Sequence, residues 1–223
     1  MKGRIMLKTI TIVPTILAGD KDTYKAQVER CNMIARRVQI DVTDGKFAPG
    51  TTIDVTSIWW PKTWEVDVHY MAAKPSEQLD IIIKLHPSLC ILHAEADEDL
   101  IPLFRRLKDA GIKTGVALLR TTYPNNVRSY IEMADHVMIF AGELGAQGAR
   151  ADMMQTEKVR LIHEINPDAE IGWDGGANIN NIRALSHAGL DVINVGSALS
   201  KSDNPAGIYQ ALTAEIDKNG VVI

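Results

Sequence analysis

One theme recurs along the chain: a short β-branched run, a turn, then a helix-like segment. The runs fall at residues 10–17, 37–42, 65–69, 89–93, 113–118, 136–140, 170–173 and 192–195, with helical stretches at 21–36, 75–84, 98–110, 152–165 and 179–188. Alternation of this kind builds a parallel sheet covered by helices. Eight strand–helix units within 223 residues fit a closed (β/α)8 TIM barrel. A doubly wound open sheet is the alternative, but it needs edge strands, and none of the runs looks like one. Punctuation agrees with the pattern: Asp20 precedes the first helix, and Gly111 and Gly189 follow later ones. The connection after the second run, residues 51–60, is the loosest and has room for only a short helix. No Ser/Pro/Gly linker or composition break divides the chain, so residues 1–223 read as one domain.

Composition serves chiefly to exclude. The chain is 46% hydrophobic and 23% charged, ordinary for a globular core, with a net charge of −4. An acidic balance argues against a general binder of nucleic-acid backbone, which carries a basic surplus. It leaves room for a few cations gripping one small anion. No window reaches the ~18 apolar residues of a membrane span. The opening stretch from Met1 to Lys8 lacks an apolar core long enough for a signal peptide. Cys31 and Cys90 sit in apolar stretches without metal-ligand spacing, the pattern of buried free thiols in a reducing compartment. The expectation is a soluble, cytoplasmic protein with no nucleic-acid or membrane partner.

Strand parity then identifies residues that break the core pattern. In the second run, Val38, Ile40 and Val42 share one face, while Gln39, Asp41 and Thr43 share the other. The third places Val66 and Val68 outward and Asp67, His69 and Met71 inward. The seventh places Ile171 and Trp173 outward and Gly172 and Asp174 inward. Asp41, His69 and Asp174 therefore converge at the C-terminal mouth, where barrel active sites lie. A lone Asp at a strand end is as readily a turn cap. Three inward ionisable groups on separate strands are not, because buried charge is tolerated chiefly when paired or metal-bound. Two carboxylates and an imidazole suit a divalent metal. Two facing carboxylates also suit proton removal on one side of a substrate and return on the other. Of the other histidines, His93 ends the fourth run near the mouth, and His86, His136, His163 and His187 read as loop or helix surface.

Glycines form a second constellation. Asp174-Gly175-Gly176 follows the seventh run and Gly196-Ser197 the eighth, the two loops from which barrels often build a phosphate site of backbone N–H groups. Ser197 either donates a hydroxyl to the anion or caps a helix.

Pro14-Thr15-Ile16-Leu17, the run from Asp41-Val42-Thr43-Asp44-Gly45 to Pro49, Asp67-Val68-His69-Tyr70-Met71, His93-Ala94-Glu95, Asp174-Gly175-Gly176 and Gly196-Ser197-Ala198 together resemble the ordered motifs of ribulose-phosphate 3-epimerases, over about residues 11–211. The resemblance implies an enzyme that inverts carbon 3 of a ketopentose phosphate with the help of a divalent metal. It implies Asp41 and Asp174 as acid, base and metal ligands, and His69 as a ligand. It also implies Thr15, in place of a serine, as a substrate contact, and Met71 and Met138 as sugar-site methionines where the residues alone allow plain core. The implied partner is a small sugar phosphate, and a homo-oligomer is compatible with the sequence.

Four departures fall at the site. Gln39 holds the position of a metal histidine; an amide oxygen is a harder and weaker ligand than imidazole, so a loosely held Mg²⁺ or Mn²⁺, or no metal, is expected there rather than tight zinc. Thr43 replaces a site methionine. Leu118-Leu119-Arg120-Thr121 replaces an asparagine-proline turn. The glycine-rich loop after the sixth run reads Gly142-Glu143-Leu144-Gly145-Ala146-Gln147-Gly148, where Glu143 opposes an anion unless a cation such as Arg120 or Arg150 offsets it. The alternatives are a barrel isomerase, lyase or aldolase acting on another sugar phosphate, and a sugar-phosphate binder without turnover. Decarboxylating and hexulose-phosphate barrels carry Asp-x-Lys-x-x-Asp; Asp41-Val42-Thr43-Asp44 lacks the lysine.

Overall fold

The computed structural model describes residues 10–144 and 148–218; Met1–Lys8 and the 145–147 part of the loop after the sixth strand lie outside them. Eight strands, β1 (Thr11–Ile16), β2 (Arg37–Thr43), β3 (Glu65–Met71), β4 (Leu89–His93), β5 (Lys113–Leu118), β6 (His136–Phe140), β7 (Glu170–Asp174) and β8 (Val192–Val195), close into a parallel barrel in chain order. Closure is direct: Thr11 pairs with Val192 and Pro14 with Val195. The open-sheet alternative is thereby excluded, and the chain is a (β/α)8 TIM barrel.

Around the strands pack α1 (Lys21–Asn32), α2 (Leu79–Leu85), α3 (Ile101–Asp109), α4 (Arg128–Met133), α5 (Lys158–Ile165), α6 (Ile182–Ser186), α7 (Ser197–Ser200) and α8 (Pro205–Ile216). The loose connection after β2 holds one 3₁₀ turn, Val55–Ser57. Asp20 caps α1 as its position suggested, its Oδ1 accepting from the backbone N–H groups of Asp22 and Thr23. That helix ends four residues earlier than its sequence pattern. The Arg36 carbonyl is claimed by the Glu65 N–H at 2.8 Å as the chain enters the β2–β3 ladder. β3 and β7 run further than expected, to Met71 and Asp174, because Thr43 and Phe140 offer them ladder partners.

The parity reading holds on all three strands used for it. Val38, Ile40, Val42, Val66, Val68, Ile171 and Trp173 lie in the apolar layer between strands and helices. Each large aliphatic buried there stabilises the fold by about 1.5–3 kcal/mol. Truncation of one, Ile40→Ala for instance, costs about 2–5 kcal/mol. Inside the barrel a separate apolar cluster of Leu89, Ile91, Ala117 and Met138 fills the middle. Cys31 and Cys90 are buried and unbridged.

Below that cluster, at the N-terminal strand ends, lies a polar floor. Arg37 donates from Nη1 and Nη2 to the two oxygens of Glu170, both at 2.7 Å, and from Nε to Asp67 at 2.8 Å. His136 Nδ1 sits 2.8 Å from Glu170 Oε2. His136 is thus no surface residue: it opens β6, is 2% exposed, and needs the gap at Gly172, where a Cβ would lie 2.5 Å from its Nε2. A histidine at a strand start reads as loop when its only signal is the neighbouring Asp135; its partner Glu170 is distant in sequence.

Candidate active site

The C-terminal strand ends enclose a cavity. Its walls include Thr15, Asp41, Thr43, Met71, Phe140, Asp174, Gly175, Gly176, Asn194, Gly196 and Ser197. Nine of the residues singled out from sequence are therefore brought together: Thr15, Asp41, Thr43, Met71, Asp174, Gly175, Gly176, Gly196 and Ser197. His69 and Gln39 lie directly beneath the two aspartates, both with 0% exposure. Met138 is elsewhere: it belongs to the apolar cluster in the barrel's middle rather than to the cavity wall. The plain-core reading of that methionine describes its position.

The acids are tied by one amide. Gln39 Nε2 donates to Asp41 Oδ1 at 2.9 Å and to Asp174 Oδ2 at 2.6 Å. His69 Nδ1 lies 3.0 Å from Asp41 Oδ1 and 3.8 Å from Asp174 Oδ2. Burial pushes the Asp174 carboxyl up to about 6, and the charge of Asp41 adds to the push; the His69 and Gln39 contacts only partly oppose it. Burial acts on His69 in the opposite sense, favouring the neutral ring. The hydrogen bond and charge of Asp41, with the charge of Asp174, outweigh it and raise the imidazole above its ordinary value.

A hydrogen-bonded chain runs on behind His69. Its Nε2 is 2.8 Å from His93 Nε2, and His93 Nδ1 is 3.3 Å from Glu95 Oε2. Burial drives His93 down to about 4, so this ring is neutral. Glu95 resists the upward pull of burial through its bonds to His93 and to the Leu119 N–H, and stays below the usual range. Directions then follow. Ionised Glu95 only accepts, so His93 carries its proton on Nδ1, presents a lone pair at Nε2, and accepts from His69 Nε2–H. His69 Nδ1 is left facing two acceptors, a place that a proton or a metal ion satisfies. His93 and Glu95 are readable from sequence only as a motif, since their line to Asp41 spans three strands.

Oxygen and nitrogen atoms of Asp41, His69 and Asp174 lie within 4.8 Å of one another, the one such group among the described residues. Two carboxylates and an imidazole are donors for a divalent ion, and the raised Asp174 and His69 values mark the positive charge the group lacks. These three residues fit. Gln39 turns its amide nitrogen toward the pair. Carboxylates accept only, so its amide turns N–H, not oxygen, toward them. Its Oε1 accepts instead from Asn194 Nδ2 at 2.7 Å.

Glycines shape the rim. Gly175 and Gly176 have φ of +114° and +69°, and a Cβ on them would lie 2.1 Å from Gly142 N and 2.4 Å from Ala151 N. Only glycine lets this turn pass so close to the loop after β6. A Cβ on Gly148 would lie 3.3 Å from Ser197 Oγ and 3.5 Å from Lys201 Nζ, so the serine hydroxyl and the lysine ammonium both border this glycine. Glu143 does reach the cavity wall, with Arg120 Nη2 3.6 Å from its Oε1. Lys201 and Asn194 went unnoticed in sequence. The signal for Asn194 was present: an amide at inward parity in the apolar run Val192–Val195.

A closed (β/α)8 barrel with an acid pair, an imidazole and glycine loops at its C-terminal mouth is the build of a barrel enzyme with its site at that end. The profile described as the Ribulose-phosphate 3 epimerase family matches residues 11–200, and the chain belongs to that family of enzymes. Curated relatives include "Ribulose-phosphate 3-epimerase" of Helicobacter pylori (strain J99 / ATCC 700824), 26% identical over 86% of this chain and 91% of the relative. A protein of the same name from Schizosaccharomyces pombe is 25% identical over 93% of this chain and 94% of its own. Among solved structures, 3-hexulose-6-phosphate synthase from Salmonella typhimurium superposes with a TM-score of 0.65 at 16% identity, covering 93% of this chain and 98% of that one. That likeness concerns the barrel alone. Among the described residues no helix is long and apolar enough to cross a membrane.

Proposed function

We propose that the protein inverts carbon 3 of a ketose phosphate, with ribulose 5-phosphate the first substrate to try. The observation that carries this reading is the joined pair Asp41 and Asp174, bridged by a single Gln39 amide nitrogen, with Asp174 poised at about 6. Around that pH the Asp174 carboxyl passes between proton donor and proton acceptor, directly beside a second carboxyl. One aspartate takes the carbon-3 proton from one side of the sugar; the other supplies a proton from the opposite side. The intermediate between the two transfers is an ene-diolate.

Asp41, His69 and Asp174 would hold a divalent ion, which when bound supplies stabilisation of the negative charge that develops on the sugar oxygens. The chain's own residues do the rest. Glu95 and His93 hold His69 in the tautomer that directs Nδ1 to the acids. Gln39 keeps the two carboxylates in register. Gly175, Gly176, Gly196 and Ser197, with Lys201 beside them, would receive the phosphate by backbone and side-chain donors. Family membership and the named relatives support the reaction and the sugar-phosphate class.

Incubation with ribulose 5-phosphate in deuterium oxide, with Mg²⁺, Mn²⁺ or Zn²⁺ supplied, tests the reading by NMR. Deuterium should enter at carbon 3 and xylulose 5-phosphate should appear. Neither label nor product under any metal would remove this substrate.

A further inference from the structure

Two buried oxygens in the cavity wall have no hydrogen-bond partner among the described residues: Asn194 Oδ1 and Thr15 Oγ1. The residues are 2% and 7% exposed. An acceptor left bare in this way is destabilising, and native proteins rarely keep one without a use. The direction of the Asn194 amide is dictated by its neighbours. With both carboxyls ionised, Asp41 and Asp174 accept only, so Gln39 gives them Nε2–H; its Oε1 then faces Asn194, which answers with Nδ2 at 2.7 Å. Oδ1 is left as a fixed acceptor beside the acid pair. Thr15 lies next to Gln39 in the β1–β2 register, so both bare oxygens border the same amide.

We propose that Asn194 is a specificity-determining residue: its Oδ1, with Thr15 Oγ1, accepts a hydroxyl of the sugar held over the two aspartates. This rests on the sugar-phosphate reading above and adds to it a group that selects among sugars by hydroxyl position. The same side chain anchors Gln39 through Nδ2, so recognition of the hydroxyl and alignment of the acids share one amide.

The test is calorimetric binding to the full chain of ribulose 5-phosphate and its 1-deoxy, 3-deoxy and 4-deoxy analogues. Wild type should bind one analogue roughly tenfold more weakly than the parent, the size of one hydrogen bond. Asn194→Leu should lower the parent to the level of that analogue and leave the analogue itself unchanged. Thr15→Val, which keeps the Gln39–Asn194 bond, should narrow the same gap and serves as the variant should Asn194→Leu not fold. Equal binding of all the deoxy analogues and the parent by wild type would overturn the inference and leave the epimerase reading standing. An Asn194→Leu variant weakened equally toward every ligand would also overturn it. No binding of ribulose 5-phosphate to wild type at millimolar concentration would overturn the substrate reading, and this inference with it.

Discussion

The two ends of the barrel each hold a buried cluster of charge, and they are built in opposite ways. At the floor, Arg37 answers Glu170 with two hydrogen bonds and Asp67 with a third, while His136 answers Glu170 again. Burial alone would raise Glu170; the Arg37 and His136 bonds outweigh it and hold the carboxyl far below its ordinary value. At the mouth, Asp41 and Asp174 share a neutral amide and one imidazole, and Asp174 is pushed up to about 6. A cluster in which one guanidinium bonds both carboxylates holds the fold together. A cluster left short of positive charge is held together by the fold, and is available for chemistry.

Substitutions should separate the two ends. The largest effect is expected from Arg37→Met, which strands Asp67 and Glu170: a loss of about 3–5 kcal/mol, or roughly 6–20 °C in Tm for a chain of this size. Asp174→Asn should leave Tm unchanged or higher. Equal losses from both variants, measured by thermal unfolding, would erase the contrast.

The pH dependence should differ in sign. Asp174 has a raised value in the fold, so its contribution to stability is complete below the ordinary carboxylate pKa and is lost as pH rises through about 6. The advantage of Asp174→Asn over wild type should therefore grow from below about pH 4 to about pH 7, by about 3 kcal/mol in all. Glu170 has a depressed value, so its contribution is present above the ordinary pKa and fades as pH falls through the folded one. The penalty of Arg37→Met should therefore shrink below about pH 4. Urea unfolding across pH reads both trends, and parallel curves would show that the two clusters do not differ.

Turnover sharpens the comparison from the other side. Asp41→Asn and Asp174→Asn should each cost at least about a hundredfold in kcat, the scale of a general acid or base, with the fold intact. Near-normal kcat in either variant would mean that the acid and base are other groups. The smallest effect concerns Gln39→His, which exchanges a donor for an imidazole beside the acids. Zinc affinity should rise roughly 1–3 kcal/mol, about ten- to a hundredfold, by competition with a chelating dye. Wild type that retains stoichiometric zinc against a chelator would show the mouth to be less short of ligands than its geometry implies.

The mouth was more legible in sequence than the floor, and for a physical reason. Asp41, His69 and Asp174 stand out because strand parity places a polar residue where an apolar one belongs, and parity is a local property. The floor is made of residues at strand starts, where polar side chains are ordinary, and its bonds join positions as far apart as Arg37 and Glu170. The same limit explains Gln39. Its inward direction could be read from its strand, but whether it offers oxygen or N–H depends on Asn194, 155 positions away. Met138 shows the reverse case: a resemblance placed it at the sugar, and in this structure it packs in the interior apolar cluster with Leu89, Ile91 and Ala117.

The apolar middle layer of Leu89, Ile91, Ala117 and Met138, with the Arg37 network beneath it, makes the barrel a well rather than a tunnel. Traffic has one doorway. Whatever enters between the glycine turns must leave by the same way, so a departing molecule blocks an arriving one, and exit time sets a ceiling on throughput. A proton lifted from a bound molecule likewise meets bulk water only through that doorway.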